Sequence, residues 1–151
     1  MKKIRSITVV AFLAMLFMSK VSWSQEIGAR FGDALGNKSS VAIDAVFSSG
    51  KYSRIHADVS FGNGVGVEAL WDFIYRPLGD SPLNYYIGAG PSLFLGSPFL
   101  LGAAGEAGLE YRFADAPIVL GLDWRPTFII VEKTDFVSGF GFNVRYVLNK
   151  K

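Results

Sequence analysis

Arg54-Ile55-His56-Ala57-Asp58-Val59-Ser60-Phe61-Gly62-Asn63-Gly64-Val65-Gly66-Val67-Glu68-Ala69-Leu70-Trp71-Asp72-Phe73 is the stretch whose reading decides the fold. Ile55, Ala57, Val59 and Phe61 alternate with Arg54, His56, Asp58 and Ser60, and beyond the turn Val65, Val67, Ala69, Trp71 and Phe73 alternate with Gly66, Glu68, Leu70 and Asp72. Strict period-two alternation around a glycine-rich turn predicts a β-hairpin, with one face wholly apolar and the other charged in both signs. Both strands carry their apolar residues at odd numbers, so facing residues have numbers summing to an even value. The turn therefore spans Gly62-Asn63-Gly64 and sets Phe61 opposite Val65. That register pairs Arg54 with Asp72, an ion pair, and Asp58 with Glu68, two carboxylates that repel. An arginine from another strand, or a retained proton, must relieve that clash.

The same alternation recurs on both sides of the hairpin, about ten residues at a time, with turn chemistry between. Strands are predicted over Gln25 to Ala34, Ser40 to Ser48, Asn84 to Leu95, Leu101 to Phe113, Ile118 to Arg125 and Gly139 to Leu148. Arg76 to Pro82, with two prolines and a glycine, is the clearest loop. Pro91 and Pro126 fall inside or at the end of predicted strands, where the missing N–H calls for a bulge or a strand end. With the hairpin this makes eight strands and no crossover helix, an antiparallel meander.

Residues 1–24 read as a secretory signal peptide: Lys2, Lys3 and Arg5 lead an apolar run from Ile7 to Met18, and Ser22-Trp23-Ser24 is a small-x-small cleavage pattern. The apolar run is shorter than the ~20 residues a membrane helix needs. Its loss leaves a single domain, 25–151. Of 15 basic residues it removes Lys2, Lys3, Arg5 and Lys20, leaving eleven against 13 acidic ones and a net charge of −2. The basic balance of the whole chain thus belongs to the leader, and no electrostatic footprint for nucleic acid remains. The absence of cysteine excludes a disulfide scaffold, a cysteine-anchored lipoprotein and a Cys-ligated zinc protein.

Two architectures share this pattern and differ by inversion: a lipocalin-like soluble barrel with its apolar face inside, and an outer-membrane barrel with its apolar face in lipid. Lysine separates them. A solvated sheet face carries lysine, yet Lys38, Lys51, Lys133, Lys150 and Lys151 all fall in turns, in the last loop or at the end of the chain. The polar face of the strands is instead glycine with pairable charges: Arg30, Arg54, Arg112, Arg125 and Arg145, with His56, against Asp44, Asp58, Glu68, Asp72, Glu106, Glu110 and Asp123. Small residues and paired charges are what a narrow closed interior requires. On the apolar face, Trp71, Tyr75, Tyr85, Tyr111, Trp124 and Tyr146 sit near strand ends, where the girdles of a membrane barrel would meet the bilayer interface.

Stretches such as Tyr85-Tyr86-Ile87-Gly88-Ala89-Gly90, Gly108-Leu109-Glu110-Tyr111-Arg112-Phe113 and Gly121-Leu122-Asp123-Trp124-Arg125-Pro126-Thr127-Phe128, together with the leader and eight alternating strands, resemble the small outer-membrane β-barrel superfamily of OmpA-type and OmpX-type barrels. The resemblance covers the whole mature chain and implies an all-β, eight-stranded up-and-down transmembrane barrel, monomeric, in the outer membrane of a Gram-negative envelope. Its implied partners are outer-membrane lipid and, during biogenesis, the assembly machinery. The chain departs from that group in ending Tyr146-Val147-Leu148-Asn149-Lys150-Lys151 rather than on an aromatic residue, and in its minimal Gly62-Asn63-Gly64 turn.

Eight strands enclose an interior just wide enough for side chains, so the charges form a plug rather than an open pore. The expected function is non-enzymatic, structural or in surface interaction through outer loops near 35–39, 62–64, 96–100 and 129–136. The last of these, with Glu132, Lys133 and Asp135, is the longest and most charged. Two alternatives are a lipid-modifying enzyme of the lipid A deacylase kind and a lipocalin-like carrier of an apolar ligand. For the first, His56, Asp58 and Ser60 offer acyl-transfer ingredients on one strand face, but residues two apart on a strand are ~7 Å apart, too far for a nucleophile-to-base hydrogen bond. No cofactor is expected, and a lone imidazole makes a metal site weak.

Overall fold

The alternation closes on itself. The computed structural model describes residues 25–148, and the leader and the closing Asn149-Lys150-Lys151 lie outside the described residues. Its strands are β1 (Gln25–Ala34), β2 (Asn37–Ser48), β3 (Arg54–Phe61), β4 (Val65–Pro77), β5 (Leu83–Leu95), β6 (Leu100–Arg112), β7 (Ile118–Val131) and β8 (Asp135–Val147). Each pairs antiparallel with the next, and β8 pairs back onto β1, giving a closed barrel. Closure leaves no strand edge with unpaired backbone groups. One end carries the β1–β2, β3–β4, β5–β6 and β7–β8 turns and is called the hairpin-turn end; the chain termini mark the terminal end.

The central hairpin has the register that parity requires. Phe61 faces Val65, Arg54 faces Asp72 and Asp58 faces Glu68. On its other side Asp58 also faces Asp44, so three carboxylates lie abreast across β2, β3 and β4.

Strands run further into the turns than alternation alone indicates. β2 begins at Asn37 rather than Ser40, and β7 and β8 continue to Val131 and from Asp135, so the loop expected over 129–136 is only 132–134. Likewise 35–39 contracts to 35–36, while 62–64 is as expected. The apolar residues Ile129, Ile130 and Val131 extend the β7 ladder, with Ile129 paired to Asp135, and this overrides the charged residues beyond them.

Neither proline ends a strand or makes a bulge. Around Pro91 the β4–β5 register is the same on both sides, Glu68 with Ser92 and Trp71 with Ala89, and only the intervening pairs are missing. Around Pro126 the β6–β7 ladder keeps Ala104 with Thr127 and Ala107 with Trp124, again losing the pairs between. Each missing N–H opens one side of the ladder locally while the other side holds: Pro91 pairs with Ala103 and Pro126 with Ser138. The bulges lie elsewhere. One, between Asp72 and Ile74, shifts the β4–β5 register by a residue and exchanges the faces of β4 beyond it.

Candidate functional site

The barrel is apolar outside and charged within. Phe140, Phe136, Leu122 and Ile43 are 73%, 62%, 61% and 55% exposed on the outer wall, while Arg30, Asp44, His56, Glu110 and Arg145 are all 1% exposed or less. This arrangement is the reverse of a lipocalin-like calyx, whose apolar residues would line the interior. Buried charges persist only where paired, and the lumenal pairing resolves into two clusters joined at one residue.

The cluster toward the terminal end is built on three arginines. Arg54 donates from Nε to Asp72 at 2.7 Å and from Nη1 to Glu110 at 2.7 Å. Arg145 reaches Glu110 at 2.5 Å and Glu26 at 3.1 Å. Arg112, whose side chain is 33% exposed, pairs with Glu26 and lies 3.4 Å from Glu110. The Tyr75 hydroxyl donates to Glu110 at 2.8 Å, and the Arg54 guanidinium lies 4.4 Å from the Tyr75 ring centroid and 4.3 Å from that of Tyr86. Arg54, Arg112 and Arg145 thus meet Glu26, Asp72 and Glu110: three cations and three anions.

The cluster toward the hairpin-turn end is built on Arg125. Its Nη1 bonds both Asp58 and, at 2.7 Å, Glu68, so it answers the clash that the hairpin register created. Its Nε lies 2.6 Å from Glu106 and 3.6 Å from Asp123. Asp123 is held by Arg30 at 2.5 Å and accepts from Asn143 at 3.2 Å; Glu68 accepts from Ser92 at 2.8 Å. Here Arg30 and Arg125 face Asp58, Glu68, Glu106 and Asp123: two cations and four anions.

His56 joins the two. Its Nε2 lies 2.5 Å from Asp44, which in turn lies 3.6 Å from Arg145, and its Nδ1 lies 2.7 Å from Glu106. Both ring nitrogens face carboxylate oxygens, so both contacts require a proton: either the ring carries two, or one carboxyl carries the second. Counted with both ring protons, His56 formally balances Asp44. On that formal count the excess of two carboxylates over cations among the described lumenal residues falls in the Arg125 cluster.

All thirteen residues expected in a lumenal charge network face the lumen, and the ion pairs above bring them together. Of the six aromatics expected on the outer wall, Trp71, Tyr111, Trp124 and Tyr146 are 57%, 42%, 40% and 53% exposed there, and Tyr85 is half-buried. Tyr75 is the exception. The bulge between Asp72 and Ile74 turns it inward, opposite Tyr86 and onto Glu110 and Arg54. Two network members escape a reading that counts only charges in mid-strand. Glu26 shares the face of Gly28 and Arg30, and Tyr86 that of Gly88 and Gly90, so parity alone could have found both. Tyr86 fits because its ladder partner is Gly108, where an added Cβ would run into the Tyr86 ring.

At the hairpin-turn end the lumen is partly stoppered. Leu35, Phe94, Leu100 and Ile129 form a buried apolar cluster. The Phe94 ring sits so close beneath Gly36, Gly64 and Gly96 that a Cβ on any of the three would collide with it, which explains why three separate turns carry glycine there. Beside it a cavity of about 220 Å³ descends to Glu68, Arg125 and Thr127.

The acyl-transfer arrangement is not assembled. His56 is committed to two carboxylates, and the Ser60 hydroxyl accepts from Asn37 Nδ2 at 3.3 Å instead of meeting the imidazole. For a metal, Asp44, His56 and Asp58, or His56, Asp72 and Glu106, bring three potential ligand atoms within 4.8 Å of one another. Either set would have to break the hydrogen bonds of His56 to bind one.

No protein-family model matches the chain, and no curated protein sequence does. Among solved structures it is similar to the N-terminal β-barrel domain of OprF from Pseudomonas aeruginosa, with a TM-score of 0.61 and 15% identity over 82% of this chain and 97% of that one. It is also similar to the de novo designed TMB2.3, with a TM-score of 0.59 and 14% identity over 87% of this chain and 99% of that one. At these identities the likeness establishes the fold.

Proposed function

We propose that the chain is a small, monomeric outer-membrane barrel, exported by its leader, with a structural or surface-interaction role and no enzymatic activity. One observation carries this reading: a closed sheet turns an almost continuous apolar wall outward and folds its charges into paired clusters within. In water such a wall would be a very large exposed apolar surface; in lipid it is the required exterior, and closure satisfies the backbone that lipid cannot. Neither cluster leaves a nucleophile beside a free base, and the short turns at the hairpin-turn end, 132–134 included, offer a compact outer surface rather than long loops. The same apolar outer wall supports this reading over the soluble-carrier alternative.

The test is fractionation of the full chain in a Gram-negative host. The expected result is recovery with the outer membrane and, after detergent extraction, faster gel migration unheated than boiled. Recovery in the soluble periplasm without detergent overturns the membrane assignment. A His56→Ala variant leaves the lipid A acylation pattern unchanged, and an altered pattern would revive the enzyme.

A further inference from the structure

The bulge after Asp72 that turns Tyr75 inward turns Arg76 outward, where it pairs with Tyr85 on the outer face of the sheet. The Arg76 guanidinium lies 4.4 Å from the Tyr52 ring centroid, and the Lys51 ammonium lies 5.0 Å from the same centroid. Tyr52 is anchored by its carbonyl, which accepts from the Tyr75 N–H at 2.9 Å. All three side chains are exposed at the terminal end, beyond Trp71 and Phe73 on the outer wall. Neither cation pairs with a carboxylate among the described residues, Asp80 of the following loop included, whereas Arg112 near the same rim is taken up by Glu26. Beside the two cations the wall is grooved. Tyr85, the ladder partner of Arg76, lines an open and almost wholly apolar groove of about 520 Å³ that continues over Ile87, Leu109, Leu122 and Trp124. Ala107, paired with Ile87 on one side and Trp124 on the other, is the small residue that makes the depression.

We propose that this part of the wall seats one anionic phospholipid, its phosphate held by Arg76 and Lys51 and an acyl chain lying along the groove over Ala107. The inference rests on the membrane reading and names the lipid that one patch of the wall selects. Two cations without a carboxylate call for an anion. At the level of the aromatic girdle that anion is a lipid phosphate, and a groove leading from it into the apolar wall fits the chain that phosphate carries. Free phosphate would leave the groove unused; a zwitterionic headgroup would bring an ammonium that cancels part of the attraction. The groove volume falls within the roughly 300–1,000 Å³ of ligand sites, enough for a chain.

The experiment uses the full mature chain carrying Trp71→Phe, which leaves Trp124 as its single tryptophan. It is folded into phosphatidylcholine vesicles, with heat-modifiable migration confirming the barrel in each sample. A small fraction of the host lipid is replaced by phosphatidylglycerol or phosphatidylcholine with brominated chains, which quench tryptophan on contact. A cation near anionic lipid is worth about fivefold, so phosphatidylglycerol is expected to quench Trp124 at a fraction at least about fivefold lower than phosphatidylcholine needs. Lys51→Gln together with Arg76→Gln abolishes that preference. Ala107→Leu, which fills the groove and leaves both cations in place, abolishes it as well. Inorganic phosphate at matched ionic strength leaves the quenching unchanged. Equal quenching by the two lipids in a folded chain overturns this inference alone, and so does a preference that survives either set of substitutions or is lost to inorganic phosphate. Failure to form the heat-modifiable barrel in vesicles overturns the membrane reading and this inference with it.

Discussion

The Arg54–Arg145 cluster and the Arg125 cluster draw on the same side-chain types and differ in stoichiometry. Toward the terminal end three guanidiniums answer three carboxylates, with two tyrosines covering Arg54. Toward the hairpin-turn end two answer four, and Arg125 bears most of the load. The first cluster is balanced in itself, whereas in the second Arg30 holds Asp123 and the single guanidinium of Arg125 serves Asp58, Glu68 and Glu106. Arg125 also sits where the β6–β7 ladder is broken by Pro126, and its contact to Glu106 at 2.6 Å spans that gap by side chain instead of backbone.

The comparison breaks most severely at Arg125. Arg125→Met would leave Asp58, Glu68 and Glu106 without their guanidinium, and uncompensated buried charge costs about 3–5 kcal/mol. Urea unfolding in lipid vesicles, followed by tryptophan fluorescence, should show a loss of that order, and the loss should shrink as pH falls, because protonating a carboxylate removes the charge that Arg125 balanced. Arg54→Met should cost less: Glu110 keeps Arg145 at 2.5 Å and the Tyr75 hydroxyl at 2.8 Å, leaving Asp72 as the main orphan. Equal losses in the two variants would mean that the clusters do not differ as their stoichiometry says.

Next in size is a pair of opposed substitutions. Glu110→Gln removes the anion that Arg54 and Arg145 share and tips a neutral cluster to surplus cation, an expected loss of about 2 kcal/mol in the same unfolding measurement. Glu68→Gln removes one formal anion while the amide oxygen still accepts from Arg125 and the amide NH2 can donate to the Ser92 hydroxyl oxygen, so its expected cost is under about 1 kcal/mol. Were Glu68→Gln the more damaging, the surplus would have to be neutralised in the wild-type protein by something bound firmly at that carboxylate.

Much of this was legible from residue order. Alternation fixed the strands, the parity of Ile55 and Val65 fixed the central register, and that register exposed the Asp58–Glu68 clash and its need for a distant arginine. Which arginine could not be read, because Arg125 reaches Asp58 across the barrel and no local spacing encodes a cross-lumen contact. Nor could the division into a neutral and a surplus cluster, since it depends on where shear places each charge along the axis. The face of Tyr75 was hidden for a different reason: a bulge inserts one residue after Asp72, and beyond it every parity assignment on β4 inverts.

The smallest effect tests that inversion. Tyr75→Phe keeps the ring against Arg54 and deletes only the hydroxyl that donates to Glu110. In the lumen this removes the hydrogen bond to the buried Glu110 carboxylate and a long one accepted from Arg112 at 3.4 Å, and about 1–2 kcal/mol of stability should go with them. Tyr111, two strands away on the outer wall and 42% exposed, makes no such bond among the described residues, so Tyr111→Phe should change unfolding by less than about 0.5 kcal/mol. Simple alternation from Trp71 would put both tyrosines on the same face and give both substitutions the same small effect. A measurable gap between them is therefore a direct reading, in free energy, of the extra residue in β4.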